Sequence, residues 1–236
     1  MSETLTIPAR FSGPPGTGQG GYTSGLVAGL LGAEVTEVSL RAPPPLERPL
    51  TVTREGERME LHDGDILVAE AAPADLVLDL PDGVSPDEAR AASEAGHDHW
   101  TAHHPFPACF GCGPARDPGD GMRLVPGALG DGRFAAEWIP DESVGDGDGR
   151  VRPECVWAAL DCPTSAPVAN FAAGPPMVLA RLAATIDRPV EVGERHAIVS
   201  WPLAVDGRKR QGAAALFDSD RRLLGASRAL WIELRR

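Results

Sequence analysis

The chain has 236 residues, enough for one large domain or two small ones, and 42% of them are hydrophobic, which suffices for a buried core. A net charge of −12 argues against a general binder of the nucleic-acid backbone, which needs a basic surface. The sequence has no long apolar run and no basic leader before an apolar segment, so we expect neither a membrane span nor a signal peptide. Four cysteines are too few for a disulfide framework at this size, and we expect a cytoplasmic protein with reduced thiols.

The N-terminal region reads as a strand, a loop and a helix of small residues. A first strand is predicted over 4–11, and a loop rich in Gly and Pro over 12–21. The helix is predicted over 23–31 and stops at a glycine, Gly32. Gly25 and Gly29 inside it cost about 1 kcal/mol each relative to alanine. We expect them to be tolerated where another backbone comes close.

An antiparallel meander should follow this first helix. The pair Asp63-Gly64 is a strong signal for a hairpin turn. The predicted strands are 34–41, 50–54, 58–62 and 66–71.

A linker is predicted over 81–120. Ser85 and Pro86 indicate the start of a helix, which should run to Ala95 and stop at Gly96. The following segment, 97–113, is rich in His, Cys, Pro and Gly, and we predict a loop rather than core.

The second half repeats the plan of the first. A second helix is predicted around Asp161, interrupted by Pro163 and Pro167, after an acidic, Gly-rich loop over 141–150. The predicted strands are 122–126, 133–139, 177–186, 195–205, 208–217 and 221–234. No strand–helix–strand alternation is visible, which disfavours a doubly wound sheet and indicates an α+β fold.

Asp161 is the residue that draws most attention in the second helix. Val156, Ala159 and Leu160 fall at i, i+3 and i+4, on one face of the helix, so Asp161 stands in mostly apolar surroundings. A buried carboxylate is costly unless it is paired or used in chemistry. The alternative is that Asp161 caps the turn that follows, where Asp is common.

A central helix wrapped by an antiparallel sheet, occurring twice, resembles the hotdog fold in its double form. From Met122 onward the chain resembles the phenylacetyl-CoA-type branch of hotdog acyl-CoA thioesterases, in the segments 188–194, 207–209, 217–218 and 224–227. The loop Cys109-Phe110-Gly111-Cys112-Gly113-Pro114 resembles the start of hotdog domains in a group of actinobacterial-type proteins. The resemblance implies a first, shorter hotdog over 1–80, the linker over 81–120 and a second hotdog over 121–236, paired as an intramolecular pseudo-dimer.

The resemblance also implies a site for thioester hydrolysis. In that family the central helix opens with His-Gly-Gly, whose glycine N–H polarises the thioester carbonyl, and an acid from across the dimer attacks or activates water. Here Gln19-Gly20-Gly21 matches the opening, with Gln in the place of His, but the acid position of that helix is Ala28. In the second half the acid position is Asp161, but the opening is Arg152-Pro153-Glu154. The halves would therefore complete one composite site, and the mirror site would be inactive.

The chemistry of such a site is sound. A backbone N–H at a helix N-terminus stabilises the oxyanion that forms on attack, and a carboxylate can deprotonate water or attack directly. The alternatives are that Gln19-Gly20-Gly21 is an ordinary loop-to-helix junction and that Asp161 is a structural cap. Tyr22, Thr164 and Ser165 are candidate helpers in substrate binding, each of which also fits a structural role.

Coenzyme A would bring phosphates as part of the substrate, and no other cofactor is expected. Arg208, Lys209 and Arg210, with Arg221 and Arg222 at the other end of the last hairpin, could bind those phosphates. Basic residues on a hairpin are also typical of a solvated face.

A metal site is weakly indicated by Cys109 and Cys112, with His103 and His104 among the histidines that precede them. Cysteine and histidine are the ligands that Zn²⁺ prefers, but a single C-x2-C pair is weak and the resemblance brings no metal with it. A loop of packed thiols is the alternative, and we expect no metal.

Three functions compete. The first is hydrolysis of acyl-CoA or a related thioester, the second is a non-catalytic acyl- or CoA-binding module, and the third is a hotdog hydratase or dehydratase. The third ranks last because those enzymes carry a His shortly after the Asp, and no His follows Asp161 before Arg195. The expected partner is a small acyl thioester, without nucleic acid or membrane, and the sequence leaves open whether two chains pair as a homodimer of double hotdogs.

Overall fold

The computed structural model describes residues 3–235, which form three α-helices and eleven β-strands. The helices are α1 (Gly20–Leu31), α2 (Pro86–His103) and α3 (Pro153–Asp161). The strands are β1 (Thr4–Thr6), β2 (Val35–Leu40), β3 (Pro49–Glu55), β4 (Arg58–Asp63), β5 (Ile66–Pro73), β6 (Gly127–Ala128), β7 (Phe134–Trp138), β8 (Met177–Ile186), β9 (His196–Asp206), β10 (Lys209–Phe217) and β11 (Leu223–Glu233).

All eleven strands join in one antiparallel sheet with the order β1-β3-β4-β5-β2-β8-β11-β10-β9-β7-β6. The first five of these strands come from the first half of the chain and the other six from the second half. The halves meet where β2 pairs with β8, with Val35 opposite Thr185 and Ser39 opposite Arg181. The strands of the first half pack around α1, and those of the second half pack around α3. The α+β double hotdog predicted from the sequence is therefore confirmed.

The two central helices run in opposite directions and pack closely against each other. Two glycines of α1 allow this close approach of the backbones. A Cβ on Gly21 would lie 2.7 Å from the carbonyl oxygen of Trp157 and 2.4 Å from the Cβ of Asp161. A Cβ on Gly25, one turn later, would lie 2.6 Å from the Cα of Glu154. The expectation of a close backbone is confirmed for Gly25 and wrong for Gly29, where a Cβ would meet nothing within 4 Å.

Helix α2 continues past the stop predicted at Gly96. The capping box of Ser85 and Glu88 starts the helix as expected, but Gly96 stays helical since it packs on Gly127, whose Cα would lie 2.9 Å from an added Cβ. Extending α2 by two turns buries Trp100, which donates its indole N–H to the carbonyl of Cys112 at 3.0 Å.

The segment after α2 is irregular, but the prediction that it lies outside the core is wrong. Cys109, Phe110 and Cys112 are all buried, and Phe110 packs edge-on against Phe11 of the first half.

Two predicted strands are also shorter than expected. The strand predicted over 4–11 is β1 followed by a short 3-10 helix, Ala9–Phe11, and the strand predicted over 122–126 is replaced by the two-residue β6.

Helix α3 ends where the predicted prolines begin. Pro163 cannot donate a backbone hydrogen bond, so the α-helix stops at Asp161 and the chain continues as a 3-10 helix, Cys162–Val168. The hydroxyl of Thr164 donates to the carbonyl of Asp161 at 2.6 Å, and that of Ser165 donates to the carbonyl of Cys162 at 2.8 Å. These bonds hold the backbone at the end of α3, which carries Asp161.

Among residues 3–235, we find no helix with the length and apolar character that a membrane crossing requires.

Candidate active site

Asp161 lies at the seam between the halves, where the end of α3 meets the start of α1. Its side chain is 1% exposed. The Gln19 side-chain amide donates to Asp161 Oδ2 at 2.6 Å, and the Gly21 backbone N–H donates to the same oxygen at 2.8 Å. The other carboxylate oxygen, Oδ1, is buried and has no hydrogen-bond partner in the described part of the chain. The carboxylate of one half is thus held by two donors of the other half.

Gln19 is the N-cap residue of α1 and uses both ends of its side chain. Its Oε1 accepts from the backbone N–H of Tyr22 at 2.5 Å, while its Nε2 donates to Asp161. The backbone N–H of Gln19 donates to the carbonyl of Phe11 at 2.8 Å, so the residue is fixed from two sides. An amide performs this double task better than a carboxylate could, because it offers an acceptor and a donor at once.

Burial raises the pKa of Asp161 to about 8, although the hydrogen bonds from Gly21 and Gln19 act in the opposite direction. The carboxyl group is therefore placed where its charged form is costly and where only two donors compensate. Strongly shifted carboxyl groups of this kind concentrate at functional sites.

A cavity of about 500 Å³ opens beside this carboxyl group. Gln19, Gly20 and Asp161 form part of its polar wall. The remaining wall is largely apolar and includes Leu40, Phe106, Phe171, Met177, Leu179 and Trp231. A polar end and a long apolar wall are the features that a pocket for an acyl group requires.

Gly20 supplies a second backbone donor at the start of α1. Gly20 lines the cavity and stands at the first helical position, where an N–H has no partner within the helix. Across residues 3–235 its N–H makes no hydrogen bond. The Gly21 N–H is already engaged by Asp161, so Gly20 is the donor that remains for a ligand.

The structure does not bring Tyr22 and Thr164 to the cavity. Tyr22 is buried in the core, with its ring stacked on Phe11 at 3.8 Å between centroids. Thr164 is held on both sides, because its hydroxyl donates to Asp161 and accepts the indole N–H of Trp231 at 2.8 Å. Ser165, the third candidate helper, does line the cavity.

The predicted phosphate-binding residues lie outside the cavity wall. Arg210 is paired with Glu233, and the guanidinium of Arg208 donates to the backbone carbonyl of Glu233 at 2.8 Å. Lys209 is exposed at the start of β10. Among the arginines and lysines of residues 3–235, the one in the cavity wall is instead Arg41, which forms an ion pair with Glu70. The sequence carried no signal for Arg41, since it is an isolated arginine after a strand.

The candidate metal ligands separate in the structure. His103 is exposed on α2 and packs on the ring of His99. His104, Cys109 and Cys112 line the cavity, and they are joined there by Cys162, which was not among the predicted metal ligands. Cys162 follows Asp161 directly, and both residues line the cavity at the end of α3.

Comparisons with known proteins connect this architecture to solved structures. No protein-family model matches the chain, and no curated protein matches it. The tesB protein of Mycobacterium avium subspecies paratuberculosis shares 13% identity, over 98% of this chain and 91% of its own, with a TM-score of 0.59.

Two further structures match over nearly their full length. A proposed thioesterase from Novosphingobium aromaticivorans shares 13% identity over 98% of this chain and 95% of its own, with a TM-score of 0.62. A protein of unknown function with a hotdog fold from Alicyclobacillus acidocaldarius shares 12% identity over 99% of this chain and 93% of its own, with a TM-score of 0.63. At these identities the likeness shows the fold, and the chain is a double hotdog protein.

Proposed function

We propose that the chain hydrolyses acyl thioesters, such as acyl-CoA, at the single composite site between its two halves. The observation that carries the proposal is the buried Asp161 of the second half, held at the wall of an apolar cavity by Gln19 and Gly21 of the first half. The thioesterases among the structures of the same fold support the reaction class. The acyl group would lie along the apolar wall.

The reaction uses two groups that the cavity presents. The Gly20 N–H, at the positive end of the α1 dipole, donates to the thioester carbonyl and stabilises the oxyanion that forms. Asp161 takes a proton from water on its unpaired Oδ1, and the water oxygen bonds to the carbonyl carbon. The carbon–sulfur bond then breaks, and the proton passes to the departing thiolate.

Gln19 acts as a positioning residue in this scheme. Its amide and the Gly21 N–H both hold Asp161 Oδ2, which leaves Oδ1 as the carboxylate oxygen that can take the proton. Arg41 at the cavity wall is a candidate contact for the anionic part of coenzyme A. Arg208, Lys209 and Arg210 remain a predicted second contact for its phosphates at the start of β10.

One contact favours a second candidate, a binding module without catalysis. The Gly21 N–H, one of the two glycine donors at the start of α1 that the resemblance offers to the substrate carbonyl, already donates to Asp161 itself at 2.8 Å. The unpaired Oδ1 is also buried in this conformation. Such a protein would bind acyl thioesters in the cavity and release no free thiol.

A comparison of two carboxylate variants tests the proposal. Asp161→Asn keeps the shape and one acceptor oxygen for Gln19 and Gly21, and we expect kcat for a panel of acyl-CoAs to fall by about 10² to 10⁴-fold. Glu154→Gln removes a carboxylate from the start of α3. Glu154 does not line the cavity, so we expect kcat to change by less than about threefold. Free thiol release measures turnover, and circular dichroism confirms folding of both variants.

The outcomes separate the two candidates. Binding of acyl-CoA by wild-type protein, measured by calorimetry, without thiol release would identify a binding module. Equal turnover by wild type and Asp161→Asn would place the reaction elsewhere and reject Asp161 as the general base.

A further inference from the structure

Three buried cysteines from two distant segments meet at one wall of the cavity. Cys109 and Cys112 come from the loop after α2, and Cys162 follows the end of α3. Each is at most 6% exposed, and none forms a disulfide. Their sulfur atoms all lie within 4.8 Å of one another, and those of Cys109 and Cys162 are 3.8 Å apart.

We propose that Cys109, Cys112 and Cys162 bind one zinc ion as thiolates. A tetrahedral zinc ion with Zn–S bonds of about 2.3 Å holds its sulfurs about 3.8 Å apart. The Cys109–Cys162 separation already has this value, and Cys112 needs to move by no more than about 1 Å to complete the set. Sulfur ligands in such an arrangement favour zinc over magnesium or calcium, which take oxygen ligands. The proposal does not depend on the thioesterase reaction.

Two glycines determine the shape of the loop that carries Cys109 and Cys112. The N–H of Gly113 donates to the carbonyl of Cys109 at 2.8 Å and closes a tight turn. A Cβ at Gly113 would lie 2.5 Å from the Cys109 backbone nitrogen, and a Cβ at Gly111 would lie 2.9 Å from the Cys162 sulfur. Only glycine at these two positions lets the turn close while keeping the third cysteine in reach.

The fourth cysteine of the chain, Cys155, is also buried but lies apart from this cluster. It packs in the main core of the molecule, whereas Cys109, Cys112 and Cys162 pack together with Trp100 in a smaller group. Cys155 is therefore a buried thiol that does not belong to the proposed site.

His104 supports the cluster as a hydrogen-bond donor rather than as a fourth ligand. Its Nδ1 accepts the backbone N–H of Phe106 at 3.1 Å, so the ring proton of the neutral histidine is on Nε2. That nitrogen lies 3.2 Å from the Cys112 sulfur, to which it donates. Zinc would then have three protein ligands and a fourth position facing the cavity, which all three cysteines line. Water or a small ligand in the cavity can take that position.

Metal analysis of the full-length protein tests the site, and Cys155 offers a matched control. Wild type and Cys155→Ser, purified with zinc and dialysed, should each retain one zinc ion per chain. Cys109→Ser and Cys162→Ser should lose it. After replacement by Co²⁺, wild type and Cys155→Ser should show a thiolate-to-cobalt absorption band, which should be absent from the cluster variants.

A measurement on wild type alone keeps the test decisive if the cluster variants do not fold. Zinc X-ray absorption should show three sulfur neighbours at about 2.3 Å. The proposal is overturned if wild type binds no zinc and all four cysteines titrate as thiols after unfolding, which identifies packed thiols. It is equally overturned if mass spectrometry shows a disulfide within the cluster, or if folded Cys162→Ser keeps its zinc.

Discussion

The two central helices begin in opposite ways, although the fold places their starts at equivalent positions. Helix α1 begins with Gln19, Gly20 and Gly21, which hold a carboxylate and line a cavity. Helix α3 begins at Pro153, and its N-cap residue Arg152 makes no side-chain cap bond.

The start of α3 packs against neighbouring residues and is not open to a ligand. The Arg152 guanidinium lies 5.5 Å from the centre of the Phe11 ring and donates to the carbonyl of Ser143 at 3.2 Å. Residues 152–155 contribute nothing to the cavity wall. On the facing helix, the position equivalent to Asp161 is the buried Ala28. The two equivalent helix starts therefore differ. The start of α1 keeps polar groups at a cavity, whereas the start of α3 is packed into the core.

The largest effect on stability should come from closing the approach of the two helices at the α1 start. Gly21→Ala places a Cβ 2.4 Å from the Cβ of Asp161 and 2.7 Å from a backbone oxygen, so the helices must separate. We expect a loss of about 3 kcal/mol or more in the free energy of unfolding. Urea unfolding measures the change.

Gly29→Ala is the control at the far end of the same helix. A Cβ there meets nothing within 4 Å, and alanine is the better helix former. We expect a gain of about 0.5 to 1 kcal/mol. Equal losses from both substitutions would mean that helix contact does not explain the glycine at position 21.

The second effect concerns Gln19, which has no counterpart at the α3 start. Gln19→Met keeps the volume but removes both the cap of α1 and the donor to Asp161. We expect a loss of about 1 to 3 kcal/mol, since a buried acceptor loses one of its two donors. Ser85→Ala removes only an exposed cap, at α2, and should cost about 1 kcal/mol. If the two losses are equal in urea unfolding, the bond between Gln19 and Asp161 contributes nothing to stability.

Much of the fold could be predicted from the sequence because its strongest patterns are local. Alternating apolar residues indicated most of the strands, and Gly32 adopts the left-handed conformation of a helix C-cap as predicted. Gly96 shows where local reasoning fails. A glycine there reads as a helix stop, but its contact with Gly127 lets the helix continue and bury Trp100.

Only part of the residue set of the candidate site could be predicted from the sequence, and its geometry could not. The resemblance paired the start of α1 with Asp161, and the structure brings them into direct contact. No pattern could indicate that the carboxylate would occupy the Gly21 N–H and leave Gly20 free. Cys162 was missed for a related reason, since 53 residues separate it from Cys109 and only the packing of the loop after α2 against the end of α3 removes that distance.

The smallest effect we expect is on the pH dependence of stability, and it again contrasts the two halves. His196 in β9 is 2% exposed, and its Nδ1 has no partner within residues 3–235. Burial lowers the pKa of His196, so the unfolded chain binds a proton at a higher pH than the folded chain does. His196 therefore contributes a loss of stability as the pH drops through the ordinary histidine pKa of about 6.5. Asp161 contributes in the opposite direction, because its pKa of about 8 lets the folded chain hold a proton that the unfolded chain has released.

The contribution of His196 is isolated by the free energy of unfolding of wild type minus that of His196→Gln, measured in urea between pH 5 and 8. Asp161 and His104, whose pKa burial lowers, act equally in both proteins. The difference should be constant above about pH 7 and fall below about pH 6.5, because glutamine does not titrate. His62→Gln, in β4 of the first half beside Glu60, is the control, and a wild-type slope in His196→Gln would show that this buried ring does not control acid sensitivity.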